Sequence, residues 1–221
     1  MKTTSHNLTG PGGSRRSASP PRFLRQVRRA GWPPGPGNMP GRAADRRRAR
    51  FPGEVPGWLT PDEGLALYRL AQGRRVLEVG SYCGRSTACL GQSALHVHAV
   101  DPLDRLGADQ PPAPCASVRE RFFRTLRDYG LESRVTLVQQ KFDEAALAAL
   151  PGAFDFAFID ADHGYESTAA QASLALRLLR AGSPIAFHDY TRAPGVTRAV
   201  DERWARGRRS LVDSLMVVYT E

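Results

Sequence analysis

The sequence is poor in cysteine and has no long hydrophobic run. Only three of its 221 residues are cysteines, and no two of them have the C-x-x-C spacing of metal or redox motifs. An odd number of cysteines argues against a disulfide framework, so we expect a reducing, cytoplasmic location. No stretch approaches the roughly 20 consecutive apolar residues of a membrane-spanning helix, and a membrane partner is therefore not expected.

Acidic residues are nearly absent from the first 50 residues, where the basic residues concentrate. This segment has twelve Lys and Arg against one acid, a net charge of +11, whereas residues 51–221 carry 19 basic and 21 acidic side chains, a net charge of −2. Residues 1–50 are also rich in Pro, Gly and Ser and show no apolar periodicity. Such a segment cannot bury enough surface to offset its conformational entropy, so we predict a disordered tail.

The basic tail allows three functional interpretations. It could be an arm for nucleic acid or an anionic membrane, an Arg-rich targeting peptide, or a solvated extension without a specific role. We favour the solvated extension, because tails of this composition carry little specific function as a class. Since residues 51–221 are nearly neutral, nucleic acid is not an expected partner.

Residues 51–221 are long enough for one α/β domain, and a helix start lies near its beginning. Thr60 can cap this helix, Pro61 fits its first position, and Glu63 completes a capping box. Strands and helices then alternate, which predicts a doubly wound, mainly parallel sheet covered on both faces. The predicted strands are 75–79, 96–100, 135–138, 154–159, 184–187 and 215–219, and the predicted helices between them are 85–90, 118–129, 145–150, 165–179 and 196–205. Sheets of this kind bind ligands beyond the carboxyl ends of their strands.

A glycine-containing turn follows the first strand. Residues 78–84 read Glu-Val-Gly-Ser-Tyr-Cys-Gly, so the glycine spacing is Gly-x-x-x-Gly. The middle glycine that seats a pyrophosphate in dinucleotide-binding loops is absent, which favours a nucleoside ligand without phosphate. Asp101 ends the second strand, 21 residues after Gly80, where a carboxylate can accept hydrogen bonds from both ribose hydroxyls.

This combination of a Glu-x-Gly-x-x-x-Gly turn and an acid at the end of the second strand resembles class I S-adenosylmethionine (SAM)-dependent methyltransferases. The resemblance spans roughly residues 55–220 and implies a Rossmann-like, seven-stranded sheet with SAM as the cofactor. It implies that Gly80, Ser81 and Gly84 line the cofactor, with Ser86 in the same turn. It also implies that Glu78 fixes the amino-acid part of SAM and that Asp101 binds its ribose.

Phe142 follows the third strand and is a further candidate for cofactor binding. Its ring could stack on the adenine base, and a phenylalanine of the hydrophobic core is the alternative.

Acidic and imidazole side chains follow the fourth and fifth strands. Asp160, Asp162 and His163 come after the fourth, and His188 and Asp189 come after the fifth. Because these strands are neighbours in such a sheet, about 5 Å apart, we expect Asp160 and Asp189 to converge at one edge. Two facing carboxylates either raise one pKa or share a cation, and oxygen ligands suit Mg²⁺ or a similar divalent ion.

These two segments resemble metal-dependent O-methyltransferases of the catechol and caffeoyl-CoA type, and still more their bacterial relatives that methylate sugars and antibiotic precursors. The resemblance implies that Asp160 and Asp189 bind the metal. His163 stands where those enzymes have a lysine base, and histidine suits a base near neutral pH.

One departure from this pattern is Tyr190, which stands where the catechol-type family has an asparagine. Asp162 or His188 could replace the lost ligand. The alternatives are that Asp162 caps the next helix and that His188 has a structural role.

We therefore predict an enzyme that transfers a methyl group from SAM to a hydroxyl of a small molecule, assisted by a divalent cation such as Mg²⁺. The predicted partner is a hydroxylated small molecule, and association into a homo-oligomer stays open. Segments 104–116 and 190–195 and the region of Trp58 are candidates to cover the site or contact the acceptor.

Three other functions stay open at this point. A metal-independent methyltransferase would use the same fold. A nicotinamide-dependent oxidoreductase is disfavoured by the glycine spacing, and a nucleic-acid-binding protein with a basic arm is disfavoured by the near-neutral domain.

Overall fold

A computed structural model describes residues 48–104 and 117–220 of the chain. The predicted disordered tail, residues 1–50, lies outside the described residues except for its last three positions. The predicted covering loop 104–116 also lies outside them, apart from Asp104. Within the described parts of the chain, no helix has the length and hydrophobicity needed to span a membrane.

Seven strands form one sheet in the order β3-β2-β1-β4-β5-β7-β6. The strands are β1 (Arg75–Val79), β2 (His96–Val100), β3 (Val135–Val138), β4 (Phe156–Ile159), β5 (Pro184–Phe187), β6 (Arg209–Val212) and β7 (Leu215–Tyr219). The first five in this order are parallel, β7 runs antiparallel to β5, and β6 runs antiparallel to β7. The predicted doubly wound, mainly parallel sheet is thereby confirmed.

Within residues 48–104 and 117–220, six helices cover the sheet: α1 (Pro61–Ala71), α2 (Arg85–Gly91), α3 (Val118–Asp128), α4 (Glu144–Leu147), α5 (Tyr165–Leu178) and α6 (Pro194–Trp204). The core has one hydrophobic cluster on each face of the sheet. On β4, Phe156 and Phe158 pack with α1, α2 and α3, while Ala157 and Ile159 pack with α4, α5 and α6. This alternation follows from the two-residue period of side chains along a strand.

Two differences from the predicted strands have simple causes. The strand β6 is missing from the prediction because it begins with Arg209 and only Ser210 of its four residues is buried. The fourth strand was predicted to begin at Phe154, but this residue makes only an isolated bridge to Leu179 and the strand begins at Phe156.

The start of α1 is fixed as predicted. The Thr60 hydroxyl accepts a hydrogen bond from the Glu63 amide at 3.2 Å, and the Glu63 carboxylate accepts one from the Thr60 amide at 2.8 Å. This capping box places the first turn of α1 above the carboxyl ends of the central strands, because Glu63 also contacts His188 after β5.

Candidate active site

The turn between β1 and α2 needs glycine at position 80. Gly80 has a φ of +88°, and a Cβ there would lie 2.4 Å from the backbone oxygen of Asp160. The Asp160 amide in turn donates to the carbonyl of Val79 at 2.8 Å. The predicted cofactor turn therefore lies directly against the end of β4. This is where the strand order reverses between β1 and β4, the position at which open α/β sheets bind ligands.

Gly84 ends the turn and begins α2. Its φ is +89°, and a Cβ there would meet the side chains of Phe122 and Thr125 at 3.3 Å. Both glycines of the Gly-x-x-x-Gly pattern thus have left-handed backbone conformations that other residues rarely adopt.

Glu78 is completely buried beneath this turn. Its carboxylate accepts hydrogen bonds from the hydroxyls of Ser81 at 3.0 Å, Ser86 at 2.6 Å and Thr87 at 2.6 Å. Burial raises the pKa of Glu78 to about 7, although the three hydroxyls oppose the rise. Three predicted cofactor residues, Glu78, Ser81 and Ser86, are therefore brought together as an internal network that shapes the turn, and Thr87 is a member that the sequence reasoning missed.

Asp101 links the ends of β1 and β2. Its carboxylate accepts hydrogen bonds from the amides of Ser81 at 2.6 Å, Tyr82 at 2.9 Å and Leu103 at 2.7 Å. A carboxylate has about four acceptor positions, so one remains for a ligand hydroxyl. The partly exposed Asp101 therefore orders the backbone of the turn and can still contact a ribose.

Phe142 packs in the hydrophobic cluster that covers the α4–α6 face of the sheet, with only 9% of its surface exposed. This position fits the alternative to adenine stacking, in which Phe142 is a phenylalanine of the hydrophobic core. Only a small edge of the ring is open to an adenine.

Asp160, His163 and Asp189 meet at the carboxyl edge of β4 and β5. The Nε2 atom of His163 lies 3.2 Å from Asp189 Oδ2 and 3.7 Å from Asp160 Oδ1. β4 and β5 are paired neighbours, with Ile159 opposite Phe187, which brings the residues that follow each strand together. The side chain of His163 is 53% exposed, so the cluster opens to solvent on its side.

The three side chains fit a divalent cation. Each offers one ligand atom, and these atoms all lie within 4.8 Å of one another. Two carboxylates and one imidazole are a donor set suited to Mg²⁺, Mn²⁺ or a similar ion. Among the described residues, the two predicted metal ligands and the predicted base can therefore contact one ion.

The ionisation of this cluster is set by its close charges. The neighbouring Asp160 and then Asp189 raise the pKa of His163 to about 10. Burial acts to raise the pKa of Asp189, but His163 and His188 hold it well below its usual range. Without a bound cation, His163 is therefore protonated at neutral pH and cannot accept a proton.

His188 lies under the cluster, with 2% of its side chain exposed. Its Nδ1 atom lies 3.2 Å from Asp160 Oδ1 and 3.4 Å from Asp189 Oδ2, and its Nε2 atom lies 3.2 Å from Glu63 Oε2. Burial lowers its pKa, but the charge of Asp160 and the hydrogen bonds to carboxylates raise it to about 12. Both ring nitrogens of His188 thus face carboxylates. This arrangement fits a structural role for His188, which was the alternative to metal binding.

Neither Asp162 nor Tyr190 takes part in the cluster. Asp162 Oδ1 accepts a hydrogen bond from the Gly164 amide at 2.9 Å and closes the turn before α5, as its alternative role requires. The Tyr190 hydroxyl donates to Asp201 at 2.8 Å and accepts from Arg209 at 2.8 Å, and the side chain is buried. Tyr190 therefore supplies no metal ligand at the position where the catechol-type enzymes have an asparagine.

Besides Thr87, two further site residues were not predicted from the sequence. Glu63 was predicted only as part of a capping box. Gly195, near the start of α6, lies against the His163 segment, because a Cβ there would be 2.4 Å from the His163 carbonyl oxygen and 2.7 Å from the Tyr165 amide. A glycine just after a proline suggests a helix start, but nothing in the sequence indicates which segment it touches.

Comparisons with known proteins identify the family and the fold. Residues 77–190 match the family described as "Methyltransferase domain", and this match covers more than half of the chain. The chain belongs to this methyltransferase family. The predicted resemblance to class I SAM-dependent methyltransferases is thereby confirmed. No curated protein matches the sequence.

Several solved structures share the fold. The O-methyltransferase from Bacillus cereus in complex with SAH has 20% sequence identity and a TM-score of 0.56, over 81% of this chain and 88% of that chain. Cofactor-bound Rv0187 from MTB has 23% identity and a TM-score of 0.58, over 93% and 99%. The O-methyltransferase TomG from Streptomyces achromogenes, involved in tomaymycin synthesis and in complex with SAM, has 18% identity and a TM-score of 0.55, over 83% and 92%.

Proposed function

We propose that the chain is an O-methyltransferase that transfers the methyl group of SAM to a hydroxyl of a small molecule, with a divalent cation held by Asp160, Asp189 and His163. The observation that carries the proposal is the position of these three side chains beside the turn at Gly80. Several proteins of the same fold are named O-methyltransferases, and two of them are described in complex with SAM or SAH, which supports the choice of cofactor and acceptor atom.

The turn at Gly80 and the carboxylate of Asp101 are the elements we assign to SAM. Gly80 lets the turn pack directly against the end of β4, because a side chain there would collide with the Asp160 backbone, and this contact fixes the turn beside the acceptor residues. Asp101 offers its remaining acceptor position to a ribose hydroxyl, and the buried Glu78 network keeps the turn in shape. Methyl transfer is an in-line displacement, so the main task of these residues is to align the sulfonium methyl with the acceptor oxygen.

Asp160, Asp189 and His163 are the residues we assign to the acceptor. A hydroxyl is a poor nucleophile, and a divalent cation at this cluster would lower the pKa of a hydroxyl bound to it. The two carboxylates hold their places through the β4–β5 pairing and His188, while the exposed side of His163 leaves an approach for the acceptor. The role of His163 as the base stays a prediction and is the alternative to its role as a ligand, because the Nε2 atom that faces the two carboxylates cannot hold the cation and accept a proton at once.

A metal-independent methyltransferase is the second candidate, and one observation favours it. His163 and His188 each lie within 3.4 Å of Asp189, and His188 lies 3.2 Å from Asp160, so histidines of the chain itself can neutralise the two carboxylates. In this case Asp160 and Asp189 would orient the acceptor hydroxyl by hydrogen bonds.

Calorimetry with SAM, with and without Mg²⁺, followed by transfer of labelled methyl groups to a panel of hydroxylated metabolites, tests the proposal. We expect SAM to bind, a labelled methyl ether to form, and EDTA to abolish its formation until Mg²⁺ is restored. Full activity in EDTA would select the metal-independent candidate. A chain that binds no SAM, or that methylates only nitrogen acceptors, would contradict the proposal as a whole.

A further inference from the structure

Glu63 makes more contacts than a capping box requires. Its buried carboxylate accepts hydrogen bonds from the Thr60 amide at 2.8 Å and from the Ser214 amide and hydroxyl at 2.8 and 2.7 Å. The His188 ring supplies a fourth partner, with Nε2 at 3.2 Å. All four partners can donate, and a carboxylate has about four acceptor positions, so this group is fully used. The side-chain amide of a glutamine at this position would place its own N–H donors opposite some of these four donors.

The second capping box of the chain provides an internal comparison. At the start of α3, the Glu120 carboxylate accepts a hydrogen bond from the Ser117 amide at 2.7 Å, and Glu120 is exposed. Capping alone therefore leaves the glutamate in water, where its charge costs nothing to solvate. Burying the charge of Glu63 is costly unless every partner is in place, so this burial indicates a role beyond the helix start.

His188 connects Glu63 to the site. With Nε2 facing Glu63 and Nδ1 facing Asp160 and Asp189, the ring is held at both ends and cannot rotate without losing a carboxylate. The Tyr190 amide donates to the Ser214 carbonyl at 2.9 Å, so the turn between β6 and β7 holds the same segment from the other side. Glu63 and Ser214 both lie outside residues 77–190, where the family match ends.

We propose that Glu63 is a positioning residue of the acceptor site. Through His188 it fixes the Asp160 and Asp189 carboxylates at the separation that a shared ligand needs. The inference rests on the proposed function, because it assumes that the two carboxylates hold the cation and the acceptor together. It assigns no contact between Glu63 and substrate.

The test compares Glu63→Gln with Glu120→Gln, which alters a capping box of the same kind in which the glutamate pairs with Ser117 at the start of α3. The probes are Mn²⁺ alone and SAH alone, each measured by calorimetry on the full chain. We expect Glu63→Gln to weaken Mn²⁺ binding about tenfold or more while SAH binding changes less than about twofold, as for residues that orient ligands of a metal. Glu120→Gln should change neither. A purely structural role for Glu63 would weaken both probes together, and unchanged Mn²⁺ binding would overturn the inference.

Two further measurements keep the inference decidable. If Glu63→Gln does not fold, Glu63→Asp retains the charge but is one methylene too short to reach both Ser214 and His188, and the same selective loss of Mn²⁺ binding is expected. If the unaltered chain binds no Mn²⁺, the metal part of the proposed function fails. Crystal structures of the unaltered chain and the variant then decide the positioning role, with a shift of the Asp160 carboxylate by about 1 Å supporting it and an unmoved carboxylate overturning it.

Discussion

The backbone oxygen of Asp160 lies 2.4 Å from the point where a Cβ of residue 80 would stand, so the turn at Gly80 and the end of β4 are in direct backbone contact. The residue predicted to approach SAM and the residue predicted to hold the acceptor are thus parts of one packed unit. A change that moves the backbone on one side is therefore expected to reach the other, whereas a change confined to the Asp160 carboxylate is not.

Replacing Gly80 with alanine tests this contact. The added methyl group meets backbone atoms that cannot give way, in addition to the strain of a φ of +88°. Gly130→Ala is the control, because Gly130 has a φ of +64° and nothing within 4 Å of its Cβ position. We expect the control to lose about 1 kcal/mol of unfolding free energy. Gly80→Ala should lose clearly more, together with most of its SAH binding. If the two variants lost equal amounts of unfolding free energy in denaturation experiments, the contact between residue 80 and Asp160 would not contribute to stability.

The carboxylate of Asp160 is expected to be essential for methyl transfer. Asp160→Asn removes one charge from the cluster with Asp189 and His163 and should lower turnover about 100-fold or more, with little change in SAH binding. Asp162→Asn is the matched control two residues away, since that carboxylate accepts from the Gly164 amide in the turn before α5 and lies outside the group formed by Asp160, His163 and Asp189. Turnover with the acceptor found in the screen is the measurement. An Asp162→Asn variant as inactive as Asp160→Asn would move the site to the other carboxylate.

The pH dependence of stability is expected to contain a contribution from Glu78. Because burial raises its pKa to about 7, from 4.5 when unfolded, the folded chain holds this proton more tightly. The contribution to stability is fully present below about pH 4.5 and is lost as the pH rises through about 7, to a limit of about 3 kcal/mol. Glu78→Gln does not titrate there, so the stability of the unaltered chain relative to this variant should fall across that window. A constant difference between their melting temperatures from pH 4.5 to 8 would contradict the assignment.

Tyr190→Phe should separate stability from site chemistry. The change removes a hydroxyl that donates to Asp201 and accepts from Arg209, and it leaves the ring in place. We expect a loss of about 1 kcal/mol of unfolding free energy and unchanged Mn²⁺ binding. Tenfold weaker Mn²⁺ binding would mean that Tyr190 supplies the ligand that the family's asparagine provides.

Much of the sheet could be predicted because most of its strands are short segments of mainly apolar residues, several of them β-branched. β1, β2, β3, β5 and β7 have the predicted bounds, since this composition marks a strand even in β2 and β3, where some side chains are only partly buried. The partly exposed β6 has no such mark. Its pairing depends on β7, which lies beside it only in the folded chain.

The site was predictable where its residues follow strands. Asp160 follows β4 directly and Asp189 is the second residue after β5, and because these strands are neighbours, topology brings the two aspartates together. The contact between Glu63 and His188 joins residues 125 positions apart, and it depends on where α1 packs over the sheet. Likewise, only packing decides that Phe142 turns into the core and that the Glu78 carboxylate accepts hydrogen bonds from one hydroxyl of the turn and two of α2.

Glu63 and Ser214 come from opposite ends of the domain, and this limits how far the domain can be shortened. A fragment trimmed to residues 77–190 would contain both aspartates and the glycine turn, yet His188 would face bulk water where it now faces a carboxylate. We therefore expect the smallest unit with an intact site to extend from the segment before α1 to the last strand, beyond residues 77–190 on both sides.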